Sequence, residues 1–151
     1  MIFGGSFAGG GNFGGATFEG HDVDAWLAKW SGAGEHLWSK SFGGAGEDVI
    51  GPVHSGPTND IVITGYFTNE IDLGEGNRLG SGGTDAFIAK YAPDGTLRWS
   101  RDFGGPAWDK GGGVQIDALG AVYAVGWFEA PLDLGRGPTT TSGVYLMELA
   151  P

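Results

Sequence analysis

Apolar and polar positions alternate with a period of two through short segments, with glycine and proline gathered in the gaps between them. Asp85–Tyr91 and Asp24–Trp30 alternate in this way, yet both faces of each segment are apolar or small. In the earlier segment Trp26, Ala28 and Trp30 point one way, and Ala25 and Leu27 the other. A strand of that kind is covered on both sides by other layers. Leu97–Phe103 and His36–Phe42 read as strands that follow tight turns. Those turns lie at Pro93-Asp94-Gly95 and Ser31-Gly32-Ala33-Gly34, where glycine can take a positive φ. Ile2–Phe7, Ile61–Phe67 and residues 121–128 form a further set of strands, residues 144–149 match Asp85–Tyr91, and residues 114–117 read as a short strand before a turn at Ala118-Leu119-Gly120. Residues 49–56 are expected to make a poor counterpart of that short strand, because Pro52 removes a ladder donor.

These elements recur. Asp24–Trp30 matches Asp85–Tyr91 at an offset of 61, and the register continues through Gly34 and Gly95, Trp38-Ser39 and Trp99-Ser100, Phe42-Gly43-Gly44 and Phe103-Gly104-Gly105, and Asp48 and Asp109. Over positions 24–48 and 85–109, 11 of 25 residues are identical, too many for composition alone. A third copy follows: Gly126-Trp127-Phe128 repeats Gly65-Tyr66-Phe67, and Tyr145-Leu146-Met147-Glu148-Leu149-Ala150-Pro151 lies over Phe87 onwards. At the front, Gly5-Ser6-Phe7 takes the place of Gly65-Tyr66-Phe67.

Composition narrows the class. Glycine is 32 of 151 residues, which argues against helices, and 40% hydrophobic with 13% aromatic content argues against disorder. The formal charge of -10 opposes nucleic acid and anionic membrane surfaces. No apolar run is long enough to span a bilayer as a helix, and Met1-Ile2-Phe3-Gly4-Gly5 does not read as a secretory signal. Without cysteine there are no disulfides, zinc–thiolate sites or thiol chemistry.

The pattern predicts an all-β fold. Four-stranded antiparallel units of about 60 residues, covered on both faces, are the pattern of β-propeller blades, and this chain would hold about two and a half of them. The expected division is a partial blade over 1–49, a complete one over 50–110 and a partial one over 111–151. An incomplete ring exposes apolar end faces. The expectation is therefore a segment of a longer chain, touching further blades of its parent or another copy.

Gly82-Gly83-Thr84, Asp85–Tyr91, Ala92-Pro93-Asp94-Gly95, Trp99-Ser100, Phe103-Gly104-Gly105, Gly113-Val114-Gln115-Ile116-Asp117 and Gly120-Ala121-Val122-Tyr123-Ala124-Val125-Gly126 together resemble the SBBP-type bacterial β-propeller repeat. The longer connection, from Asp72-Leu73-Gly74 to Leu79-Gly80-Ser81-Gly82-Gly83, looks like the variant abundant in secreted proteins and lipoproteins of myxobacteria and their relatives. The resemblance implies a propeller in an extracytoplasmic, cell-surface setting, and it implies no catalytic residue set. Gly143, standing where the other copies have Asp, marks a degenerate or terminal third copy.

Candidate chemistry is sparse. Asp24, Asp85, Asp48 and Asp109 could suggest a two-carboxylate hydrolase, but their repetition points to accepting N–H bonds from glycine-rich turns. Trp26, Trp30, Trp38, Phe87, Tyr91 and Trp99 recur in register and read as packing rather than sugar stacking. Trp108 replaces Glu47 of the preceding copy and is the preferred exposed aromatic; Trp127 is less decided. His21, His36 and His54 lack metal-ligand spacing, and no calcium loop is present, so neither metal nor cofactor is expected. Gly9-Gly10-Gly11 and Gly111-Gly112-Gly113 are expected to be turns. The connections 8–23, 68–84 and 129–143 would emerge on one side as solvated loops or short hairpins. Glu70, Glu75, Asn77 and Arg78 are the candidate binding residues of the middle one. The functional expectation is a non-enzymatic scaffold contacting protein or glycan; the alternative is part of a propeller glycoside hydrolase or lyase whose catalytic groups lie elsewhere.

Overall fold

The computed structural model describes residues 1–20 and 22–150; His21 and Pro151 lie outside the described residues. Among the described residues there are 14 strands and no helix. In chain order they begin β1 (Ile2–Phe7), β2 (Gly10–Asn12), β3 (Thr17–Glu19), β4 (Asp24–Trp30) and β5 (His36–Phe42). Next come β6 (Val49–Ser55), β7 (Ile61–Phe67), β8 (Glu70–Asp72), β9 (Asn77–Leu79), β10 (Asp85–Tyr91) and β11 (Leu97–Phe103). The last are β12 (Asp109–Ile116), β13 (Val122–Phe128) and β14 (Gly143–Leu149). They form a first sheet β1-β4-β5, a middle sheet β11-β10-β7-β6 and a third sheet β12-β13-β14, with β2-β3 and β8-β9 as separate hairpins. Neighbours are antiparallel throughout, and no sheet closes on itself.

The recurring glycine of β1, β7 and β13 has a steric cause. Across the ladders Gly5 faces Trp26, Gly65 faces Phe87 and Gly126 faces Tyr145. A Cβ on Gly65 would approach the Phe87 ring to 3.0 Å and run into the Val49 carbonyl oxygen. Only a residue without a side chain lets the aromatic lie across its neighbouring strand. Two bulges recur as well. The β4–β5 ladder shifts between Lys29 and Trp30, and the β10–β11 ladder between Lys90 and Tyr91. Likewise the β6–β7 register shifts between Ile50 and Val53, and the β12–β13 register between Gly111 and Gly113.

The second bulge pair corrects two expectations. The segment around Pro52 does form a strand of full length, β6, because Pro52 sits in the bulge of an edge strand, where a missing N–H breaks no regular pair. Gly111, Gly112 and Gly113 are not turns but lie inside β12, which starts at Asp109 rather than at Val114. Of the earlier triplet only Gly9, at φ 75°, lies outside a strand, while Gly10 and Gly11 belong to β2.

The three sheets pack face to face. Ala25, Leu27 and Phe42 of the first sheet meet Ile61, Ile63, Phe87 and Tyr91 of the middle one in a buried cluster. On the opposite face Val62 and Ile88 meet Val114, Ile116, Val122 and Ala124 of the third sheet. β10, between these layers, is buried at every position. Trp38 packs against the first cluster and Trp99, its repeat partner, against the second. These two, with Trp26 and Trp30, are half-buried rather than fully enclosed like Phe87 and Tyr91.

Polar ties cross the layers. Lys29 Nζ donates to the Pro93 carbonyl at 2.7 Å, and its repeat partner Lys90 donates to the Gly120 carbonyl at 3.1 Å. Each lysine thus fastens its own sheet to a turn of the next. The Tyr91 hydroxyl donates to the Leu73 carbonyl at 2.9 Å inside the first cluster. Tyr91→Phe is expected to cost roughly 1–2 kcal/mol, checked by urea denaturation, because it strands a buried carbonyl.

Candidate functional site

The 68–84 connection is largely the hairpin β8–β9, so its candidate residues are held on a ladder. Asn77 Nδ2 donates to Glu70 Oε2 at 3.0 Å, and Arg78 pairs with Glu75 at 2.9 Å and with Asp102 at 2.5 Å. The backbone N–H groups of Gly74 and Gly76 both donate to Asp72 Oδ1, which closes the tip. The polar side chains of the hairpin are thus engaged with one another and with β11. The 8–23 connection forms the matching hairpin β2–β3, with Phe13 stacked on Trp26 at 4.2 Å. The 129–143 connection carries only an isolated bridge, Asp133 to Pro138.

Trp108 lies just before β12, apart from these ladder pairs, and is 59% exposed. Its backbone bridges in parallel to Thr84, as Glu47 bridges to Val23, which marks the two positions as equivalent. Its neighbour is Lys110, whose Nζ sits 5.2 Å from the Trp108 ring and 3.9 Å from the Tyr66 ring. The Tyr66 hydroxyl donates to Glu47 Oε1 at 3.1 Å, and burial, reinforced by that carboxylate, raises the phenol above its ordinary range. Trp127, 53% exposed, lies over Gly112 and opposite Lys110 on the ladder. The structure therefore brings an indole, a phenol, an ammonium and a carboxylate together at one rim. Such a group can stack on a flat or apolar ligand face and hydrogen-bond to its edge. The sequence pointed to Trp108 but not to Tyr66, Lys110 or Glu47.

The repeated carboxylates are occupied with backbone. Asp48 Oδ2 accepts the Gly44 N–H at 3.0 Å, Asp109 Oδ2 the Gly105 N–H at 2.7 Å, and Asp85 Oδ2 the Ser81 N–H at 2.9 Å. Burial pushes the Asp48 carboxyl up to about 7, against the Gly44 N–H that favours its ionised form and with the nearby Asp24 charge adding to the rise. Burial likewise raises Asp85 and Asp109. The second oxygens of Asp48 and Asp109 are buried without a hydrogen-bond partner.

Elsewhere, His54 Nδ1 accepts the Ile116 N–H at 3.3 Å, and His36 lies under Gly14 and Gly15. His21 falls outside the described residues. Among the described residues no group of three or more His, Asp and Glu is placed to hold a metal ion, and no helix is long and apolar enough to cross a membrane. Neither a protein-family model nor a curated protein matches this chain.

Proposed function

We propose that the chain is a stretch of SBBP-like β-propeller, about two and a half blades with the middle sheet as the complete one, from a secreted or cell-surface bacterial protein. In this reading it is a non-enzymatic scaffold, and the Trp108–Lys110–Tyr66 rim is its contact point for glycan or protein. The observation that carries the reading is recurrence in space. Consecutive sheets share the glycine–aromatic pair, and ladder bulges and the parallel bridge recur at matching positions. The absence of chemistry in the scaffold is supported by Asp48, Asp85 and Asp109, each of which accepts a backbone N–H group of a nearby turn.

The test is a glycan array run beside a panel of hydrolase and lyase substrates. Retention of a glycan without turnover is expected, and turnover of any defined substrate would overturn the scaffold reading. Trp108→Ala is expected to weaken that retention about tenfold or more, because exposed aromatic anchors dominate such contacts. An unchanged affinity would place the contact away from this rim.

A further inference from the structure

The two outer sheets each have an open face, and the apolar positions on these faces repeat those that meet where the chain's own sheets pack twice, with Glu148 standing on the third sheet at the slot of Lys29 and Lys90. Three pairs of repeat positions show this. Ile2 with Leu27, Val62 with Ile88, and Tyr123 with Leu146 occupy the same two slots on the first, middle and third sheets. The first pair packs against the middle sheet, and the second pair against the third sheet. The third pair is uncovered: Leu146 is 77% exposed, and Val144 beside it 72%. A hollow of about 330 Å³ lies on that face, lined by Tyr123, Val125, Leu146 and Pro52 among others.

The opposite side of the layers shows the converse. Phe3, Ile63 and Ala124 share one slot on the three sheets. Ile63 is sealed by the first sheet and Ala124 by the middle one, whereas Phe3 is 51% exposed, with the Trp30 ring at 5.7 Å and, on the same face, Trp26 covered by Phe13. These open residues lie on the strands that all three sheets have in common, the β1/β7/β13 and β4/β10/β14 positions. A three-stranded sheet can therefore meet another three-stranded sheet along them, although each lacks a strand that the middle sheet has.

We infer that copies of this chain associate head to tail, the open face of the third sheet of one copy packing on the open face of the first sheet of the next. This rests on the layered repeat reading proposed above and names the partner of its uncovered faces. The contact is heterologous, so it produces either a closed ring or an open series. Each copy carries a formal charge of -10, so added salt should strengthen the association by screening.

The experiment is sedimentation of the full chain over a range of concentration and salt, with two charged variants, Leu146→Asp and Phe3→Asp. Both replace side chains that are more than half exposed, and recovery of pairing in the mixture reports that each variant is folded. Wild type should form species larger than one chain, and each variant alone should associate about a hundredfold more weakly. An equimolar mixture of the two variants should recover a one-to-one pair, because each keeps one intact face. A wild type that stays monomeric throughout, a Phe3→Asp variant that still associates with itself, or a mixture that does not pair would each overturn the inference. Hydrogen exchange separates this from failure of the layered reading. Protected β10 amides in a monomer would sink only the association, whereas rapid exchange along β10 would remove the layers themselves.

Discussion

A Gly65→Ala variant is expected to lose about 3 kcal/mol of stability or more, which for a chain of this size lowers Tm by roughly 6–12 °C. The new methyl group would run into the Val49 carbonyl oxygen on one side and come within 3.0 Å of the Phe87 ring on the other. Neither neighbour can yield cheaply. Val49 belongs to the β6 ladder that pairs with β7, and Phe87 is fully buried in the cluster joining the first and middle sheets. Gly32→Ala is the control: it meets no heavy atom within 4 Å and has no positive φ, so it should stay within about 0.5 kcal/mol of wild type. Gly76→Ala also meets open space, but at φ 94° it should cost about 1 kcal/mol from the backbone alone. Urea denaturation of the three variants separates overpacking from backbone strain. Equal stability of Gly65→Ala and Gly32→Ala would mean that close packing of an aromatic over this glycine is not what the repeat preserves.

That glycine is legible in the sequence alone. The Gly65-Tyr66-Phe67 and Gly126-Trp127-Phe128 triplets announce themselves by repetition, and so do the turn at Pro93-Asp94-Gly95 and the doubly apolar Asp85–Tyr91. Each is a local signal, because turn geometry and strand alternation are imposed within a few residues. The bulges were hidden. Pro52 and Gly112 look like strand breakers in sequence, and become tolerable only when the neighbouring strand is known to pair around them. The rim around Trp108 was hidden for another reason. It depends on Lys110 of one repeat reaching Tyr66 of the previous one, a contact between layers that leaves no periodic trace along the chain. The depth at which Asp48 is buried belongs to the same class, since it follows from how Gly43-Gly44 folds over the carboxylate rather than from any residue beside it.

Stability should fall as pH rises from about 4 to about 7. Asp48, with an ordinary value of 3.8 and a folded value pushed up to about 7, keeps its proton in the folded chain after the unfolded chain has released one. In that window the folded state binds more protons, so raising the pH works against it; above the window the full penalty of a buried charge is present. Asp85 and Asp109, raised by burial as well, act in the same direction. Asp48→Asn isolates the effect, because the amide oxygen can still accept the Gly44 N–H while no charge is buried. At about pH 8 the variant should be more stable than wild type by roughly 2 kcal/mol, a figure reduced from the full shift to allow for screening. Below about pH 4 the two should converge, since both then carry a neutral side chain. Urea denaturation at closely spaced pH values reads both expectations. If Asp48→Asn were instead the weaker protein at pH 8, the carboxylate would have to be ionised in the folded state and held there by the Gly44 N–H and its neighbours. The cost of burying it would then be outweighed by the turn that it closes.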